Sequence, residues 1–547
     1  MNKNKYNIFH MVLVLLILCL GSSRGLERVR VDIGLVIQRS RYINFNVLAE
    51  SRIFRINHRV LGDRSAMSGS YYQVQMHSGD AWEESIRALQ AWKKKFEQAA
   101  ALQLPPNLCA LYTLYLAKEK QYVLCAGKYI QWDQAEQAQK QLKRYWPAEN
   151  FKVIHIREEE ERVPDFMLHA GEAWQAVLDA DRGEIILCQA NGRRLTSPVA
   201  LGVTPVDDAG ENASFELGAQ YSGELVLRFS FFPEEITPVN RLDLEVYLQG
   251  VLAGEVFQDW PPETIKAQAV AARSYALAQT GKHLADGFDL CDSTDCQSYQ
   301  GVQNAPLFRK AVRETEGEVI AYERKIIAAL YHSSGGGRTE NIEDIWPGTN
   351  PRPYYRSVPD FDYGTKGYRW ESPVIIRTED ALGELGWPGA DRVIMEILPA
   401  PGCRYPNIRF YNEASGEEKV YTRQSLRRLF NLPSPKFTVV YCPSRESLDR
   451  ILRFTPSLDA ERLSGIFFPA YLRVDSSAYM GGIASPRSVR LAQGAFLYFN
   501  GYGKGHGVGL SQWGSYVLGS QGMGYKQILK YYYSREIEVL SGYGRGK

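Results

Sequence analysis

An internal repeat with a spacing of 50 residues constrains the fold more than any other feature of the chain. Tyr72 in the first copy corresponds to Tyr122 in the second, and the other aligned positions keep the same offset. Each copy contains a short strand, an acidic turn and an amphipathic helix that ends in basic residues, as the helix dipole prefers. A further apolar strand follows each helix, at 111–116 and 151–156. The repeat therefore predicts a β-α-β-β-α-β unit whose helices cover one face of a four-stranded antiparallel sheet.

This arrangement, over residues 70–157, resembles the SPOR domain, a module that binds peptidoglycan glycan strands without stem peptides. The resemblance implies a ferredoxin-type glycan-binding domain, and the alternative is an unrelated ferredoxin-like fold that binds no glycan. Residues 158–240 then alternate apolar and polar side chains between glycine-containing turns. This alternation predicts a β-rich segment of hairpins that leads into the next domain.

The N-terminus predicts export from the cytoplasm. It combines lysines, an apolar run at 11–20 and the small residue Gly25. The run is too short to cross a bilayer comfortably, so residues 1–25 are expected to be a signal peptide or, alternatively, a retained membrane anchor. Membrane contact is expected only through this segment, and residues 26–69 are predicted to be exposed strands and a linker. The formal net charge of +2 argues against a nucleic-acid partner recruited by overall charge.

Two helices are predicted after residue 240. The first has Asp243 as its N-cap, and its apolar residues recur at helical spacing in line with Glu255. A carboxyl group in line with an apolar face either reaches solvent or occupies a partly dry site. Burial there would raise a carboxyl pKa toward the range that suits a general acid at neutral pH. Gly250 and Gly254 are predicted to leave the helix surface bare, so that a bulky substrate can approach Glu255.

The second helix begins at Pro261–Pro262 and ends at Gly281, and it contains the alanines Ala267, Ala269, Ala271, Ala272 and Ala276. This composition predicts a slim helix that packs closely against its neighbours. Gln268 and Arg273 are polar residues among the alanines. They are expected either to line a groove or to face solvent.

Three sequence blocks carry a second resemblance. The first, at 244–276, contains LEVYLQGVLAGEV and WPPETIKAQAVAARSYA. The second, at 331–346, contains YHSSGGGRTE and DIW, and the third, at 503–514, is GKGHGVGLSQWG. In this order, the blocks resemble the signature of the stage II sporulation protein D family (SpoIID/LytB).

The resemblance implies that residues 241–547 form a lytic transglycosylase domain that cleaves peptidoglycan glycan strands. Glu255 would protonate the oxygen between N-acetylmuramic acid and N-acetylglucosamine, and would then accept the proton of the muramic C6 hydroxyl as a 1,6-anhydro ring closes. Because this nucleophile is internal, one carboxyl group is sufficient. Part of the family is described as enhancing a partner amidase without cleavage, which gives the alternative of a non-catalytic binding protein.

The candidate substrate-binding residues lie in the same three blocks. They are Gln268, Arg273, His332, Ser333, Ser334, Gly335, His506, Ser511 and Gln512. The two histidines are expected to orient sugar hydroxyls or, alternatively, to have a purely structural role. Ser511 is predicted to cap a helix that extends to Leu518. The glycine-rich stretch at 501–514 lacks the spacing of a dinucleotide-binding loop.

Cys291 and Cys296 are closely spaced, but two such cysteines alone are a weak signal for zinc. Some members of the resembled family bind zinc here through two cysteines, an upstream histidine and a histidine just before the second cysteine. The resemblance therefore implies a structural zinc held by His283, Cys291, Asp295 and Cys296, with Asp295 as an oxygen ligand. The alternatives are a Cys291–Cys296 disulfide and a zinc hydrolase. Taken together, the sequence predicts an α+β protein with a SPOR-like domain followed by a SpoIID-type domain.

Overall fold

The computed structural model describes residues 29–454, 473–474 and 488–543, except for short stretches within them. These stretches are 41, 62–69, 100–107, 109–110, 117–120, 130, 180, 183, 208–209, 232–233 and 399–404. Within the described residues, helices and strands are mixed along the chain and form several separate sheets, which confirms an α+β fold. The expected signal peptide at 1–25 lies outside the described residues. Among the helices that are described, none is both long and apolar enough to cross a lipid bilayer.

The chain divides into two units, of which the first comprises Met1–Glu255, Ala276–Gly317 and Ser541–Lys547, and the second Val256–Tyr275 and Glu318–Leu540. The strands are β1 (Arg30–Gly34), β2 (Tyr42–Val47), β3 (Ser51–Leu61), β4 (Ser70–Gly79), β5 (Leu111–Leu116), β6 (Gln121–Tyr129), β7 (Lys152–Leu168), β8 (Ala173–Asp179), β9 (Glu184–Cys188), β10 (Arg194–Ser197), β11 (Leu201–Pro205), β12 (Phe215–Leu217), β13 (Ala219–Tyr221), β14 (Glu224–Phe231), β15 (Glu234–Asp243), β16 (Leu290–Cys291), β17 (Val319–Tyr322), β18 (Lys325–Ile326), β19 (Tyr331–His332), β20 (Val374–Arg377), β21 (Val393–Leu398), β22 (Asn407–Asn412), β23 (Glu418–Tyr421), β24 (Phe437–Cys442), β25 (Arg473–Val474), β26 (Ser488–Leu491), β27 (Phe496–Gly501), β28 (Leu510–Ser511) and β29 (Glu538–Leu540). The helices are α1 (Trp82–Gln98), α2 (Trp132–Tyr145), α3 (Leu244–Glu255), α4 (Pro262–Gln279), α5 (Pro306–Glu314), α6 (Ile342–Ile345), α7 (Thr378–Glu384), α8 (Arg423–Leu429), α9 (Arg445–Phe454), α10 (Gln512–Ser520) and α11 (Tyr525–Tyr533).

The repeat in the first unit has the predicted order of elements, from β4 to β7. Its strands lie side by side in the order β5-β6-β4-β7, and these neighbours pair antiparallel. The equivalent strands of the two copies, β4 and β6, therefore pair with each other at the centre. Trp92 on α1 and Leu142 on α2 occupy equivalent positions of the repeat, and both are buried in the core between helices and sheet. The element order agrees with the predicted unit, and its assignment as a SPOR domain stays a prediction.

Strand β3 joins the repeat to the N-terminal strands. It pairs with β7 over most of its length and with β5 at one position, so that β3, β5, β6, β4 and β7 form a closed ring. Closing the ring leaves fewer strand edges exposed. Val31, Ile33 and Ile53 are buried in the core. The described strands within 26–69 are therefore present, but one face of them is buried rather than exposed, and the predicted linker lies outside the described residues.

The rest of the first unit extends this sheet through β11, β14, β15 and β1 to β16, and adds a second sheet in the order β10-β9-β8-β2-β12-β13. The hairpins predicted within 158–240 are present as β8–β9, β9–β10 and β14–β15. Strand β15 is central to the site because it pairs with β1 and runs directly into α3. The N-terminal end of α3 is thus fixed by a strand inside the main sheet.

The second unit has two cores. One contains Ala267, Val270 and Ala271 of α4 with residues of α10, α11 and β28. Ala267, Ala269, Ala271, Ala272 and Ala276 of α4 are fully buried, which confirms the prediction of a slim, closely packed helix. The other core lies between residues 370 and 499, where β20-β27-β24-β25 and β23-β22-β21-β26 form two four-stranded sheets.

Candidate active site

Helix α3 begins as the sequence predicts. Asp243 Oδ1 accepts a hydrogen bond of 2.8 Å from the N–H of Glu245, which is the role of an N-cap. Leu244, Leu248, Val251 and Leu252 are buried along the predicted apolar face. The helix ends at Glu255, whose side chain is half-buried.

The carboxylate of Glu255 is held by the main chain of a neighbouring segment. Its Oε1 accepts a hydrogen bond of 2.9 Å from the N–H of Ser298. A Cβ at position 254 would collide with the carbonyl oxygen of Ser298, and a Cβ at position 250 would lie 2.5 Å from the ring of Tyr299. The two glycines therefore admit the segment at 298–301, and the prediction that they leave a bare surface for a substrate is wrong.

Buried hydrogen bonds fix this segment against the sheet and the helix. The hydroxyl of Tyr299 donates to Asn240 Oδ1 at 2.7 Å, and Asn240 is fully buried on β15. The hydroxyl of Tyr247 on α3 donates to Gln297 Oε1 at 3.3 Å. Buried polar groups that are paired in this way favour one arrangement of the chain. The N–H that holds Glu255 is consequently set by contacts on both sides of Ser298.

The four residues of the predicted metal site lie together. One donor atom from each of His283, Cys291, Asp295 and Cys296 lies within 4.8 Å of the others. Both cysteines are free thiols in the structure rather than a disulfide. A nitrogen, an oxygen and two sulfurs are a donor set that suits tetrahedral zinc. The residues therefore fit the ion that the sequence implied.

The protonation states of Cys291 and His283 determine how the cluster would bind a cation. The Cys296 thiol and the His283 ring lower the pKa of Cys291 to about 3, so the thiolate that zinc requires is favoured. The carboxylate of Asp286 raises the pKa of His283 to about 9. His283 Nε2 also lies 3.1 Å from Asp295 Oδ2. Metal binding must therefore displace a proton from His283.

The polar residues of α4 are buried rather than solvated. Gln268 is 1% exposed and Arg273 is fully buried, which removes the alternative that they face solvent. The Arg273 guanidinium donates a hydrogen bond of 3.1 Å to the carbonyl oxygen of Glu318. Among the described residues, none offers a hydrogen-bond partner to the side-chain amide of Gln268, which is unusual for a buried polar group.

The second sequence block forms a glycine loop in the second unit. Ser334 is buried and donates to Asp362 Oδ2, and the N–H groups of Gly336 and Gly337 donate to Asp362 at 2.6 and 2.8 Å. The N–H of Gly335 donates to Asp360 Oδ2 at 2.9 Å. Neither aspartate was among the predicted site residues, although their Asp-x-Asp pattern is visible in the sequence.

A buried ion pair between Glu340 and Lys436 also holds the glycine loop. Glu340 is fully buried and lies 2.9 Å from Lys436 Nζ, which also donates to the carbonyl oxygens of Gly335 and Arg338. The hydroxyl of Tyr405 donates to Glu340 at 2.7 Å. Lys436 lies about a hundred residues after the loop, so no local pattern could have predicted this contact.

The third block lies against the second. The backbone of Lys504 exchanges two hydrogen bonds with that of Ser334, and the N–H of Trp513 donates to the carbonyl oxygen of Ser333, which is half-buried. Ser511 caps α10 by accepting a hydrogen bond of 3.2 Å from the N–H of Gly514, as predicted, and Gln512 is buried.

The two candidate histidines are neighbours, with ring centroids 5.7 Å apart. Burial lowers the pKa of His332 to about 3 and holds the pKa of His506 well below its usual range. Both rings are therefore neutral at physiological pH. His332 Nδ1 lies 3.1 Å from the carbonyl oxygen of Val508, to which it donates, and its buried Nε2 has no partner in the described structure.

Comparison with known proteins finds one family model that matches part of the chain. Residues 233–322 match the family model SpoIID, described as stage II sporulation protein. An uncharacterised protein of Brachyspira hyodysenteriae is 27% identical over 324 residues, which cover 58% of this chain and 72% of that protein. The amidase enhancer of Bacillus subtilis is 27% identical over 305 residues, or 52% of this chain, and stage II sporulation protein D of Bacillus amyloliquefaciens is 33% identical over 136 residues, or 22% of this chain.

The matched regions span 39% of the length of each of these last two relatives. The family model covers the strand β15, the helices α3 and α4 and the cysteine-containing loop. Glu255 and the proposed metal ligands all fall inside it. Residues 233–322 are therefore similar to the stage II sporulation protein D family.

Proposed function

We propose that this protein is a peptidoglycan lytic transglycosylase with Glu255 as its single general acid and base. The observation that carries the proposal is the position of Glu255 at the C-terminal end of α3, half-buried and oriented by the N–H of Ser298. This carboxylate lies within the segment that matches the family model. The substrate would be glycan strands of peptidoglycan, preferentially those without stem peptides.

The proposed reaction needs no second carboxylate. The Glu255 carboxyl group donates its proton to the glycosidic oxygen as the bond from that oxygen to C1 of N-acetylmuramic acid breaks. The C6 hydroxyl oxygen of the same sugar then bonds to C1, and its proton passes to the Glu255 carboxylate. The leaving sugar gains one proton, the ring-closing hydroxyl loses one, and the enzyme returns to its starting state. An internal hydroxyl is held at high effective concentration, so water need not be activated.

A zinc ion at His283, Cys291, Asp295 and Cys296 would act on this site through structure rather than chemistry. When bound, zinc would supply a fixed tetrahedral cross-link between these four side chains. Cys296 precedes Ser298 by two residues, so this cross-link would restrain the N–H that orients Glu255. His332, Ser333, Ser334, Gly335, His506, Ser511 and Gln512, with Gln268 and Arg273, are proposed to shape or line the glycan-binding surface.

The proposed location is the extracytoplasmic face of the membrane or the cell wall, where peptidoglycan is found. The SpoIID family is consistent with this location. Stem-peptide removal by an amidase would generate the preferred substrate. A cell-wall amidase is therefore the proposed protein partner.

A second candidate function is enhancement of such an amidase without cleavage by this chain. One relative, which aligns with 52% of this chain, is named amidase enhancer. This alternative requires glycan binding but no proton transfer by Glu255. The two functions therefore differ in the products that the purified protein releases by itself.

The test compares wild type with Glu255→Gln, incubated without any amidase on purified glycan stripped of stem peptides. We expect the wild type to release products that mass spectrometry finds to be one water lighter than hydrolysis products. Glu255→Gln should release none, because an amide cannot donate the proton. Glu245→Gln, in the first turn of the same helix, is the matched control and should keep its activity.

Equal product release by wild type and Glu255→Gln would overturn the proposed mechanism. If the wild type releases nothing alone but accelerates a purified amidase, the enhancer function replaces it. Circular dichroism of both variants establishes that they are folded.

A further inference from the structure

A group of four aromatic rings lies in the second unit beside α10. The ring centroids of Trp260 and Trp513 are 4.9 Å apart, and those of Trp513 and Tyr516 are 5.5 Å apart. Phe257 packs against Trp260 at 5.6 Å and against Trp513 at 6.3 Å, while 60% of its own surface stays exposed. Trp260 is buried, and its contacts with Phe257 and Trp513 support these two rings on their inner side.

A second group of rings lies along the two glycine loops of the same unit. Tyr368 contacts Tyr363 with centroids 5.0 Å apart and Tyr502 with centroids 5.6 Å apart. Tyr363 is 79% exposed, the highest value among the exposed large apolar and aromatic side chains in the described part of the chain. Tyr363 is therefore presented to solvent, whereas Tyr368 and Tyr502 are half-buried.

The two groups meet at Gly367. A Cβ at this position would lie 2.6 Å from the indole ring of Trp513, so only glycine allows the chain to pass this close. The next residue is Tyr368 of the second group. We name the rings of Phe257, Trp513, Tyr368, Tyr363 and Tyr502 together the aromatic track, in which Phe257 and Tyr363 are exposed and the other three are half-buried.

Positive charges accompany the track. Lys366, Arg369 and Lys504 are exposed, and each is within three residues of a ring of the second group. The Arg369 guanidinium lies 5.4 Å from the ring centroid of Tyr502. Aromatic rings interleaved with cations can therefore contact both apolar and anionic parts of one ligand.

We propose that the aromatic track binds a glycan strand whose alternate sugar rings carry a carboxylate. The proposal rests on the proposed function and extends it by naming a surface that holds the polymer. The C–H groups on one face of a pyranose ring are weakly positive and are attracted to the negative face of an aromatic ring. The lactyl carboxylate of each N-acetylmuramic acid would pair with Lys366, Arg369 or Lys504.

The composition of the track favours a sugar polymer over a protein partner. The buried core of a protein interface is depleted in lysine and requires a large contiguous surface. Here the exposed rings are separated by lysine, arginine and glycine residues. A protein partner is therefore the competing occupant that the experiment has to exclude.

The experiment uses the full chain with Glu255→Gln, so that glycan is bound without being cut. Two probes of equal length are titrated by calorimetry: a peptide-free peptidoglycan oligosaccharide and a neutral N-acetylglucosamine oligosaccharide. We expect Phe257→Ala and Tyr363→Ala each to weaken binding of both probes by about fivefold to tenfold, as for other stacked rings. Tyr543→Ala, which removes an exposed ring of the first unit, should leave both affinities unchanged.

The charged residues are tested with Lys366→Gln combined with Lys504→Gln. This pair should weaken binding of the carboxylate-bearing probe several-fold and leave the neutral probe unchanged, because only the former offers an anion. Hydrogen exchange provides a local readout, in which peptides covering 361–370 and 501–507 become protected when the glycan binds. This readout separates the track from any binding by the N-terminal repeat.

Unchanged affinity in both ring variants, or an absence of protection in these peptides, would overturn the proposal. Loss of amidase binding in the ring variants, with glycan binding intact, would assign the surface to a protein instead. Product release by the wild type is measured separately, so failure of the track and failure of the transglycosylase proposal are distinguishable.

Discussion

At the scale of single residues, the second unit contains several ionisable groups that are buried and serve as structural supports. Asp362 accepts hydrogen bonds from the glycine loop, and Glu340 pairs with Lys436 beneath it. His332 is buried as well, but it stays neutral because burial lowers its pKa to about 3. Burying it in its neutral form makes folding dependent on pH.

We predict that His332 destabilises the protein as the pH falls from 7.5 to 5.5, whereas His283, whose pKa is raised, makes the opposite contribution. In this range the unfolded chain binds a proton at position 332, whose ordinary pKa is 6.5, whereas the folded chain does not bind one until about pH 3. The loss should be about 1 kcal/mol for one histidine. Urea unfolding of wild type and His332→Asn at the two pH values measures it.

In His332→Asn the amide can still donate to the carbonyl oxygen of Val508 but cannot titrate. Between pH 7.5 and 5.5, the free energy of unfolding of the wild type should therefore drop by about 1 kcal/mol relative to that of His332→Asn. An equal pH dependence of the two proteins would mean that His332 is not buried neutral in the folded state.

At the scale of elements, α3 and the segment at 291–301 form one structural pair. Gly250 and Gly254 allow the two to touch, and Ser298 connects them at Glu255. A metal ion held by the four side chains of the donor cluster would stiffen this pair. Removing one metal ligand should therefore affect both zinc content and activity, and the two can be measured on the same variant.

We expect the purified wild type to contain about one zinc ion per chain, since four donor atoms converge at one point. Cys296→Ser should lose most of this zinc and should lower both the melting temperature and the release of anhydro products. Elemental analysis, thermal unfolding and the product assay provide the three readouts. Cys188→Ser, at a free cysteine away from the cluster, is the control.

Retention of zinc by Cys296→Ser would contradict the assignment of this ligand. A wild type without zinc, in which mass spectrometry finds Cys291 and Cys296 linked, would favour the disulfide alternative instead.

The elements themselves were largely predictable, because they are encoded by local patterns. The repeat gave α1 and α2, Asp243 marked the start of α3, and the alanines marked α4 as a buried helix. The donor cluster was also predictable, since a family resemblance assigned its residues. Contacts such as Lys436 with Gly335 were not, because they join residues that are distant in sequence and leave no periodic signal.

At the scale of the whole molecule, the first unit does not divide where the sequence suggested. A catalytic domain beginning at 241 would exclude β1, which pairs with β15 along Arg30–Gly34 and with β16. Val31 and Ile33 of β1 are buried in the core. The sequence could not indicate this, because a strand's partners depend on the register and order of the sheet.

We therefore predict that a fragment of residues 241–547 does not fold cooperatively. It lacks β1, β11 and β14, which leaves apolar residues such as Leu242 and Leu290 without their covering strands. A chain of residues 29–547 should unfold in a sharp transition, whereas the fragment should aggregate or melt gradually. Circular dichroism melts of both proteins make the comparison, and an equally sharp transition at the same temperature for the fragment would refute the prediction.

The hydrogen bond from Ser298 to Glu255 has a consequence for how such proteins diverge. Its donor belongs to the peptide backbone, so every amino acid except proline supplies it equally well. Natural variation at position 298 can therefore proceed without loss of this anchor. An evolutionary comparison that scores only which side chain is retained would overlook one of the groups that orients the acid.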